Sequence, residues 1–329
     1  GLVAQEFDFG LYDQLVFQVA GQRFAVRKMP EKAEVEQDLT IDQIDLLPDQ
    51  VIGYEEYLTI IDQLKRVPQI AVYKIATSYL GREIYAIELL PKDAGSGYLS
   101  KTKRLTNHPS EIINARHHAN EVSGTNGAFL LLKELLTDPK YQDLADQLNL
   151  VIVPLENVDG AAIHYELQKT TPEWKLHVAR FNGVGKEFYH EYFNLETQHT
   201  EAMGMTRLYE RFVPDVMVDN HGVPTHEWEQ PFSGYTSPSY KGFWLPRSLL
   251  YGYFWVATNE EYRSNIVLNK QIEDAIADAI GAVPEMKRWN EEWAAQFEVY
   301  AHKWLPKMFP ADYYLSLIHI SEPTRRVVI

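Results

Sequence analysis

The chain has 329 residues, of which 45% are hydrophobic and 23% are charged, a composition typical of globular proteins rather than of disordered or collagen-like chains. It contains no cysteine, which excludes a disulfide scaffold, thiol catalysis and cysteine-ligated metals. The 46 acidic and 31 basic residues give a net charge of -15, a field that disfavours nucleic acid and anionic lipid as partners. No apolar run approaches the roughly 18 residues that predict a membrane span.

The two ends of the chain leave its natural boundaries and its compartment open. The opening residues, GLVAQEFDFG, have neither an initiator Met nor the basic-then-apolar pattern of a signal peptide. The stretch LSLIHISEPTR, from Leu315 to Arg325, resembles a translated DNA-sequencing adapter, and the alternative is a genuine strand. We therefore expect native sequence to end near Tyr314 and residues 315–329 to be a non-native tail.

The first predicted elements are short strands and one amphipathic helix. Residues 1–52 show short alternating segments and then a polar stretch, and we expect them to be the end of a preceding small domain or a linker. From Gly53 the segment YEEYLTIIDQLKRVP predicts a helix that ends at Pro68, with apolar residues at helical spacing. The strands IAVYKIA and EIYAIELL follow, on either side of a turn at Gly81.

The rest of the chain alternates between strands and helices. The segments EIINARHH, NLVIVPLEN and VPDVMVDNH predict strands, and SGTNGAFLLLKELLTD, YQDLADQL, KQIEDAIADAIG and MKRWNEEWAAQFEVYAHKWL predict helices. This alternation predicts an α/β fold whose sheet has many parallel neighbours and helices on both faces. Within ENVDG, Asn157 and Asp159 are interpreted as shaping a tight turn in which Gly160 supplies a positive φ.

Three side chains at predicted strand ends have the types and spacing of a metal site. His118 and Glu121 follow the strand EIINAR, and His221 follows the strand DVMVDN. Two ligands from one loop and a third from a distant strand end are a common way to hold a catalytic zinc ion, which activates water. Sites in open α/β sheets lie beyond the carboxyl ends of strands, so neighbouring strands would bring the three together. The alternative is that both histidines are hydrogen-bonded core or loop residues.

Asp219 precedes His221 by two residues, so on a strand both side chains point to the same face. A carboxylate there either orients the imidazole or caps the end of the strand. Both interpretations remain open from the sequence.

Several motifs, in their order along the chain, resemble the zinc carboxypeptidase family. ARHHANE before a helix, then VPLENVDG, then VDNHG carry the resemblance, and GYEEYLTIIDQLKRVPQIAVYKIATSYLGREIYAIEL is similar to the opening of such domains. The resemblance covers roughly residues 53–314, which it marks as a zinc peptidase domain incomplete at its C-terminus. It implies a three-layer α/β/α fold with a mixed, mostly parallel sheet of about eight strands. It also implies one zinc ion, a peptide substrate and, as a leaning only, a secreted or periplasmic location.

By this resemblance His118, Glu121 and His221 fall on the three zinc-ligand positions of the family. His117 does not, because its spacing to Glu121 is one residue too long.

The family also holds the terminal carboxylate of its substrate with an Arg, usually in an Asn-Arg pair. The segment HVARFNGVGKEF places Arg180 at that position, preceded by Ala179 instead of Asn, with Asn182 as a candidate for compensation. A guanidinium can hold a carboxylate through two parallel hydrogen bonds. The alternative interpretation of Arg180 is a surface arginine beside a loop.

The general base of the family is a Glu on a strand well after the third ligand, which takes a proton from water and passes it to the leaving amine. Glu291, Glu292 and Glu298 lie at suitable distances along the chain but within a helical pattern, and we interpret them as solvated charges. The base is therefore expected beyond Tyr314, with Glu227 as the substitute inside this chain.

The first functional hypothesis is a zinc-dependent metallopeptidase of the carboxypeptidase type. One alternative is a deacylase-type zinc amidohydrolase with the same ligands, and another is a non-catalytic domain that binds peptide or glycan on the same fold. The sequence has no Walker phosphate loop, no H-E-x-x-H motif and no Gly-x-Ser-x-Gly elbow. Substrate identity, exo- or endopeptidase action and oligomeric state are not determined by the sequence.

Overall fold

The computed structural model of the chain describes residues 14–19, 22–27, 37–90, 105–141, 143–172, 177–221 and 263–288. Their strands are β1 (Gln14–Val19), β2 (Gln22–Arg27), β3 (Ile70–Thr77), β4 (Glu83–Leu89), β5 (Ser110–Ala115), β6 (Asn149–Val153) and β7 (Val216–Asn220). Their α-helices are α1 (Tyr54–Leu64), α2 (Ser123–Thr137), α3 (Leu144–Gln147), α4 (Val158–Thr170), α5 (Thr200–Phe212) and α6 (Arg263–Gly281).

Helices and strands lie where the periodicity predicts them. Helix α1 buries Tyr57, Ile60, Ile61 and Leu64, which recur at helical spacing on one face. The turn between β3 and β4 contains Gly81, whose φ is 87°. The helix predicted from MKRWNEEWAAQFEVYAHKWL lies almost wholly outside the described residues.

Strands β3 to β7 form a mixed sheet in the order β3-β4-β6-β5-β7. Strand β4 is antiparallel to β3 and to β6, whereas β5 is parallel to β6 and to β7. The α/β class and the mixed sheet are thus confirmed, and five of the roughly eight expected strands lie in the described part of the chain. Strands β1 and β2 pair with each other as an antiparallel hairpin.

The centre of the sheet is covered on both faces. All five residues of β6 are buried, as are most residues of β4, so side chains that alternate between the faces both meet protein. Ile41, Ile44, Leu46 and Ile52 pack into the same core as α1. These four residues precede residue 53, where we expect a domain boundary. That boundary stays a prediction.

Within the described residues, no helix has the length and apolar character needed to cross a membrane.

The ENVDG segment begins helix α4 instead of forming a turn, and the interpretation of Gly160 as a positive-φ residue is wrong. Asn157 is the N-cap, and its side chain accepts a hydrogen bond of 3.0 Å from the backbone N–H of Gly160. Asn is among the strongest N-caps, and Asp159 in the first turn suits the positive end of the helix dipole. The sequence does not distinguish the two structures here, because Asn and Asp favour both tight turns and helix N-termini.

Glycine is required at position 160 because the neighbouring loops approach closely. A Cβ atom there would lie 2.7 Å from the Cβ of Ala119 and would collide with the carbonyl oxygen of Phe181. We expect Gly160→Ala to lower the free energy of unfolding by about 1–3 kcal/mol, since backbone must move. Chemical denaturation measures this change. The matched control is Gly127→Ala, in α2 with no atom within 4 Å of the added Cβ, which should stabilise by about 0.5–1 kcal/mol. Equal effects of the two substitutions would contradict this account.

Candidate metal centre

The carboxyl ends of β5 and β7 lie side by side at one edge of the sheet. The two strands are parallel neighbours, and Ala115 at the end of β5 is paired with Asn220 at the end of β7. The chain therefore leaves β5 into the loop that carries His118 and Glu121 at the same place where it leaves β7 into His221. This is the edge at which parallel sheets gather their functional side chains.

The three predicted ligands lie within hydrogen-bonding distance of one another. The Nδ1 atom of His118 is 2.7 Å from Oε1 of Glu121, and Nδ1 of His221 is 2.8 Å from Oε2 of the same carboxylate. The two Nδ1 atoms are 3.2 Å apart, and one ligand atom from each residue lies within 4.8 Å of the other two. Burial alone would raise the pKa of Glu121, but the hydrogen bonds from both imidazoles outweigh it and lower the pKa to about 2.

The donor set of this cluster fits a divalent metal ion. Two imidazole nitrogens that face each other across a buried carboxylate can each offer a lone pair to a shared cation. His221 keeps 29% and His118 12% of the side-chain surface exposed, so the cluster remains open on one side. Two neutral imidazoles and one carboxylate are a common zinc ligand set, and they leave a fourth position for water or substrate.

The outward-facing nitrogen of each imidazole contacts a second carboxylate. Nε2 of His221 is 2.9 Å from Oδ2 of Asp219, and Nε2 of His118 is 3.3 Å from Oε2 of Glu187. Such contacts fix the ring orientation and the tautomer of a ligating histidine. Of the two interpretations of Asp219, the contact with the imidazole is the one present.

His117 lies behind the cluster and is almost fully buried. Its Nδ1 atom is 2.9 Å from Oε2 of Glu156, and its Nε2 atom is 2.9 Å from Oε1 of Glu187. The ring also packs against the buried Phe188, with 4.4 Å between centroids. Burial would lower the pKa of His117, but Glu156 and Glu187 outweigh it and raise the pKa to about 10.

A chain of hydrogen bonds, completed by the ion-pair contact between Glu187 and His118, connects His118 and His221 behind the cluster. Nδ2 of Asn114 donates to Oε2 of Glu156 at 2.6 Å and to Oδ1 of Asp219 at 3.1 Å. Tyr192 donates its hydroxyl to the other oxygen of Glu156 at 2.6 Å. The chain thus runs from His221 through Asp219, Asn114, Glu156, His117 and Glu187 to His118.

His117, His118 and Glu187 form a second group whose atoms could hold a metal ion. Both ring nitrogens of His117 already have carboxylate partners, and His118 faces Glu121 with its other nitrogen. We therefore assign this group to the outer partners of the centre and not to a separate metal site.

Arg180 lies on the Glu187 side of the centre. Its Nη1 atom is 3.7 Å from Oε2 of Glu187, and 35% of its side chain is exposed. A guanidinium at this place is near enough to the centre to meet a substrate carboxylate, and its assignment as a substrate-binding residue remains a prediction.

Asn182 is buried, and its amide group is used within its own loop. Its Oδ1 atom accepts hydrogen bonds from the backbone N–H groups of Val184 (3.2 Å) and Lys186 (3.0 Å). Its Nδ2 atom lies 3.2 Å from Nδ1 of His199. These contacts support the loop after Arg180, and a direct role of Asn182 in substrate binding stays untested. Glu227 and Tyr314 lie outside the described residues.

Glu156 and Glu187 were not among the residues selected from the sequence. Glu156 follows the apolar stretch that includes β6, at the same edge of the sheet as the candidate ligands. This position after a strand is the sequence signal that could have identified it as a functional residue. Glu187 lies in an irregular segment, where no periodicity or motif distinguishes it from a solvated charge.

The fold and the site define an α/β protein with a His/Glu group that could hold a metal ion. Residues 57–207 match a family model described as zinc carboxypeptidase. This match confirms the resemblance to that family over the matched segment. A comparison with curated proteins gave no match.

Solved structures of metallo-carboxypeptidases are similar to this chain at low sequence identity. A metallo-carboxypeptidase from Burkholderia cenocepacia shares 16% identity and a TM-score of 0.45, with 70% of this chain and 51% of that chain covered. For carboxypeptidase A from Helicoverpa armigera the sequence identity is 14% and the TM-score is 0.42, with 57% of this chain and 49% of that chain covered. A third structure is a metallo-carboxypeptidase from Pseudomonas aeruginosa in complex with (2-guanidinoethylmercapto)succinic acid. Its sequence identity is 18% and its TM-score is 0.36, with 51% of this chain and 39% of that chain covered. The chain thus spans about half or less of the length of each of these structures.

Proposed function

We propose that the chain is a zinc-dependent metallopeptidase of the carboxypeptidase type that hydrolyses peptide or amide bonds. The observation that carries the proposal is the convergence of His118, Glu121 and His221 at the ends of β5 and β7. The family match over residues 57–207 supports zinc as the ion and a peptide as the substrate.

His118, Glu121 and His221 would hold the zinc ion, and the other groups of the centre would keep them in place. Bound zinc supplies Lewis-acid chemistry, which polarises a carbonyl group and makes water more acidic. Asp219 and Glu187 hold the outer nitrogens of the two imidazoles, so each ring presents its Nδ1 atom to the interior of the cluster.

Arg180 is proposed to orient the substrate through its carboxylate. Its side chain is partly exposed beside the centre, and a guanidinium forms paired hydrogen bonds with a carboxylate. A proton acceptor is also needed, and we propose a Glu beyond Tyr314, with Glu227 as the substitute within this chain. Such a base must lie within hydrogen-bonding reach of the water or of the leaving amine.

Two other functions are alternatives on the same fold, and the first of them uses the same metal ligands. A deacylase-type amidohydrolase would act on a small N-acyl amino acid, and a binding domain would hold peptide or glycan without turnover. The two enzymes share the same ligands and differ in what they hydrolyse, so metal content alone does not separate them.

The test combines metal analysis with matched substrates. The chain is stripped with a chelator, dialysed, reloaded with zinc and assayed on a peptide with a free C-terminal carboxylate, on its C-terminal amide and on an N-acyl amino acid. We expect one bound zinc ion per chain and, in a chain extended beyond Tyr314 to include the proposed base, zinc-dependent release of the C-terminal residue from the free peptide only. Preferred cleavage of the N-acyl amino acid would favour the deacylase, and zinc binding without turnover in the extended chain would favour the binding domain. A chain that binds no zinc would overturn the proposal.

A further inference from the structure

Arg116 is fully buried and has no anionic partner among the described residues. Its Nη1 atom donates to the carbonyl oxygen of Ile52 at 2.7 Å, and its Nε atom donates to that of Ala119 at 3.0 Å. Its Nη2 atom is buried without any hydrogen-bond partner, and no carboxylate of the described residues forms an ion pair with it. The carbonyl groups satisfy two donors but carry no net charge that could balance the guanidinium.

His164 is a second buried side chain with an unpartnered nitrogen. It lies on α4, its exposed fraction is 6%, and its Nδ1 atom has no hydrogen-bond partner. Burial, together with the nearby charges of Arg116 and His177, lowers the pKa of His164 to about 3. The imidazole is therefore neutral at ordinary pH and can offer an N–H donor at Nδ1.

The packing of α4 brings His164 to the region that surrounds Arg116. One helical turn before His164, Gly160 lies so close to Ala119 that a Cβ atom there would be 2.7 Å from the Ala119 side chain. A Cβ atom on Gly53 would lie equally close, 2.7 Å, to the ring of Tyr165. Ala119 and the residue before Gly53 supply the two carbonyl groups that hold Arg116, so both of these segments pack against α4.

A buried cation without a counter-charge is strongly unfavourable, and buried charges in proteins are normally paired. Here the unmet requirement is for one negative charge that accepts hydrogen bonds and brings no donors of its own. Water would accept a hydrogen bond but would leave the charge uncompensated. A substrate carboxylate is excluded, because Arg116 is not accessible from the surface.

We propose that Arg116 and His164 bind a small monovalent anion in the interior, beneath the loop that carries His118 and Glu121. Chloride meets the requirement, because it carries one negative charge, accepts hydrogen bonds and has no donor. The anion accepts hydrogen bonds from Nη2 of Arg116 and from Nδ1–H of His164. It stabilises the fold by balancing the guanidinium, and it does so whether or not the proposed zinc function is correct.

The test compares chloride with gluconate, a larger anion, at constant ionic strength and pH. We expect the Tm of the full chain to rise with chloride and then to saturate, by about 2 to 4 °C when chloride reaches roughly ten times its Kd. Crystals grown without chloride and soaked in bromide should show an anomalous peak within hydrogen-bonding distance of Nη2 of Arg116 and Nδ1 of His164.

Two variants distinguish this site from other effects of chloride. His164→Leu removes one donor and keeps Arg116, and it should lose the saturable rise, whereas His190→Leu, at an exposed histidine, should keep it. A rise that persists in His164→Leu would place the chloride elsewhere, for example on the metal, and would overturn the proposal. Should His164→Leu fail to fold, the bromide map of the unaltered chain decides: no peak beside Arg116 means no anion site.

Discussion

Replacing Glu121 by Ala is expected to reduce zinc affinity by far more than any change behind the centre. Its carboxylate contacts both imidazoles, at 2.7 and 2.8 Å, so its loss removes one proposed ligand and the group that holds the other two together. Loss of an outer partner typically costs about 10–100-fold in metal affinity, and loss of a ligand should exceed that range. Competition with a chromogenic chelator measures the affinity.

Two further variants make this result specific. Asp219→Asn keeps the three proposed ligands and weakens the contact with Nε2 of His221, so its zinc affinity should fall within the range of about 10–100-fold given above. Glu55→Ala, at an exposed position of α1, should leave the affinity unchanged. If Glu121→Ala bound zinc no more weakly than Asp219→Asn, Glu121 would not be a ligand.

Replacing Asp159 by Ala is expected to lower the free energy of unfolding by about 3 kcal/mol, because buried partners would lose a charged acceptor. The carboxylate is fully buried and accepts hydrogen bonds from the hydroxyl of Ser78 (2.7 Å), from the backbone N–H of Leu80 (2.9 Å) and from Nη1 of Arg82 (3.0 Å). These contacts tie the β3–β4 turn to the first turn of α4. Urea denaturation monitored by Trp fluorescence and circular dichroism measures the change.

Asp62→Ala is the matched control for Asp159→Ala. Asp62 also forms an ion pair, with Lys65 at 2.6 Å, but its side chain is 71% exposed. Exposed pairs of this kind contribute about 0–1 kcal/mol, so this variant should remain close to the unaltered chain. A loss at Asp159 no larger than that at Asp62 would mean that the buried contacts add no stability.

Local periodicity in the sequence predicted much of the fold. The four apolar positions of α1 and the continuous apolar run of β6 are set by residues close together along the chain, and each element is buried as its pattern indicates. The error at Gly160 has a local cause too, because Asn and Asp stabilise turns and helix starts by similar hydrogen bonds. Only the close approach of two distant loops shows why glycine is needed there.

The candidate ligands could be selected from the sequence because each lies in a short segment that follows a recognisable strand. Their outer partners could not, because those contacts connect segments far apart along the chain. Glu156 meets His117 across 39 residues, and Glu187 meets it across 70. The spacing of His117 to Glu121 argues only against metal ligation by His117. It does not indicate that this histidine is buried between two carboxylates.

Arg116 has a left-handed backbone, with φ at 55°, and it is the first of three consecutive residues whose side chains meet different partners. Arg116 reaches toward Ile52, His117 toward Glu156 and His118 toward Glu121. The loop thus directs three neighbouring side chains to three different places. Arg116 enters the interior, His117 lies between two carboxylates, and His118 lies in the proposed metal centre. We expect that adding or removing one residue in this loop would change which side chain meets which partner, so the length of the loop matters to the centre as well as the identity of its residues.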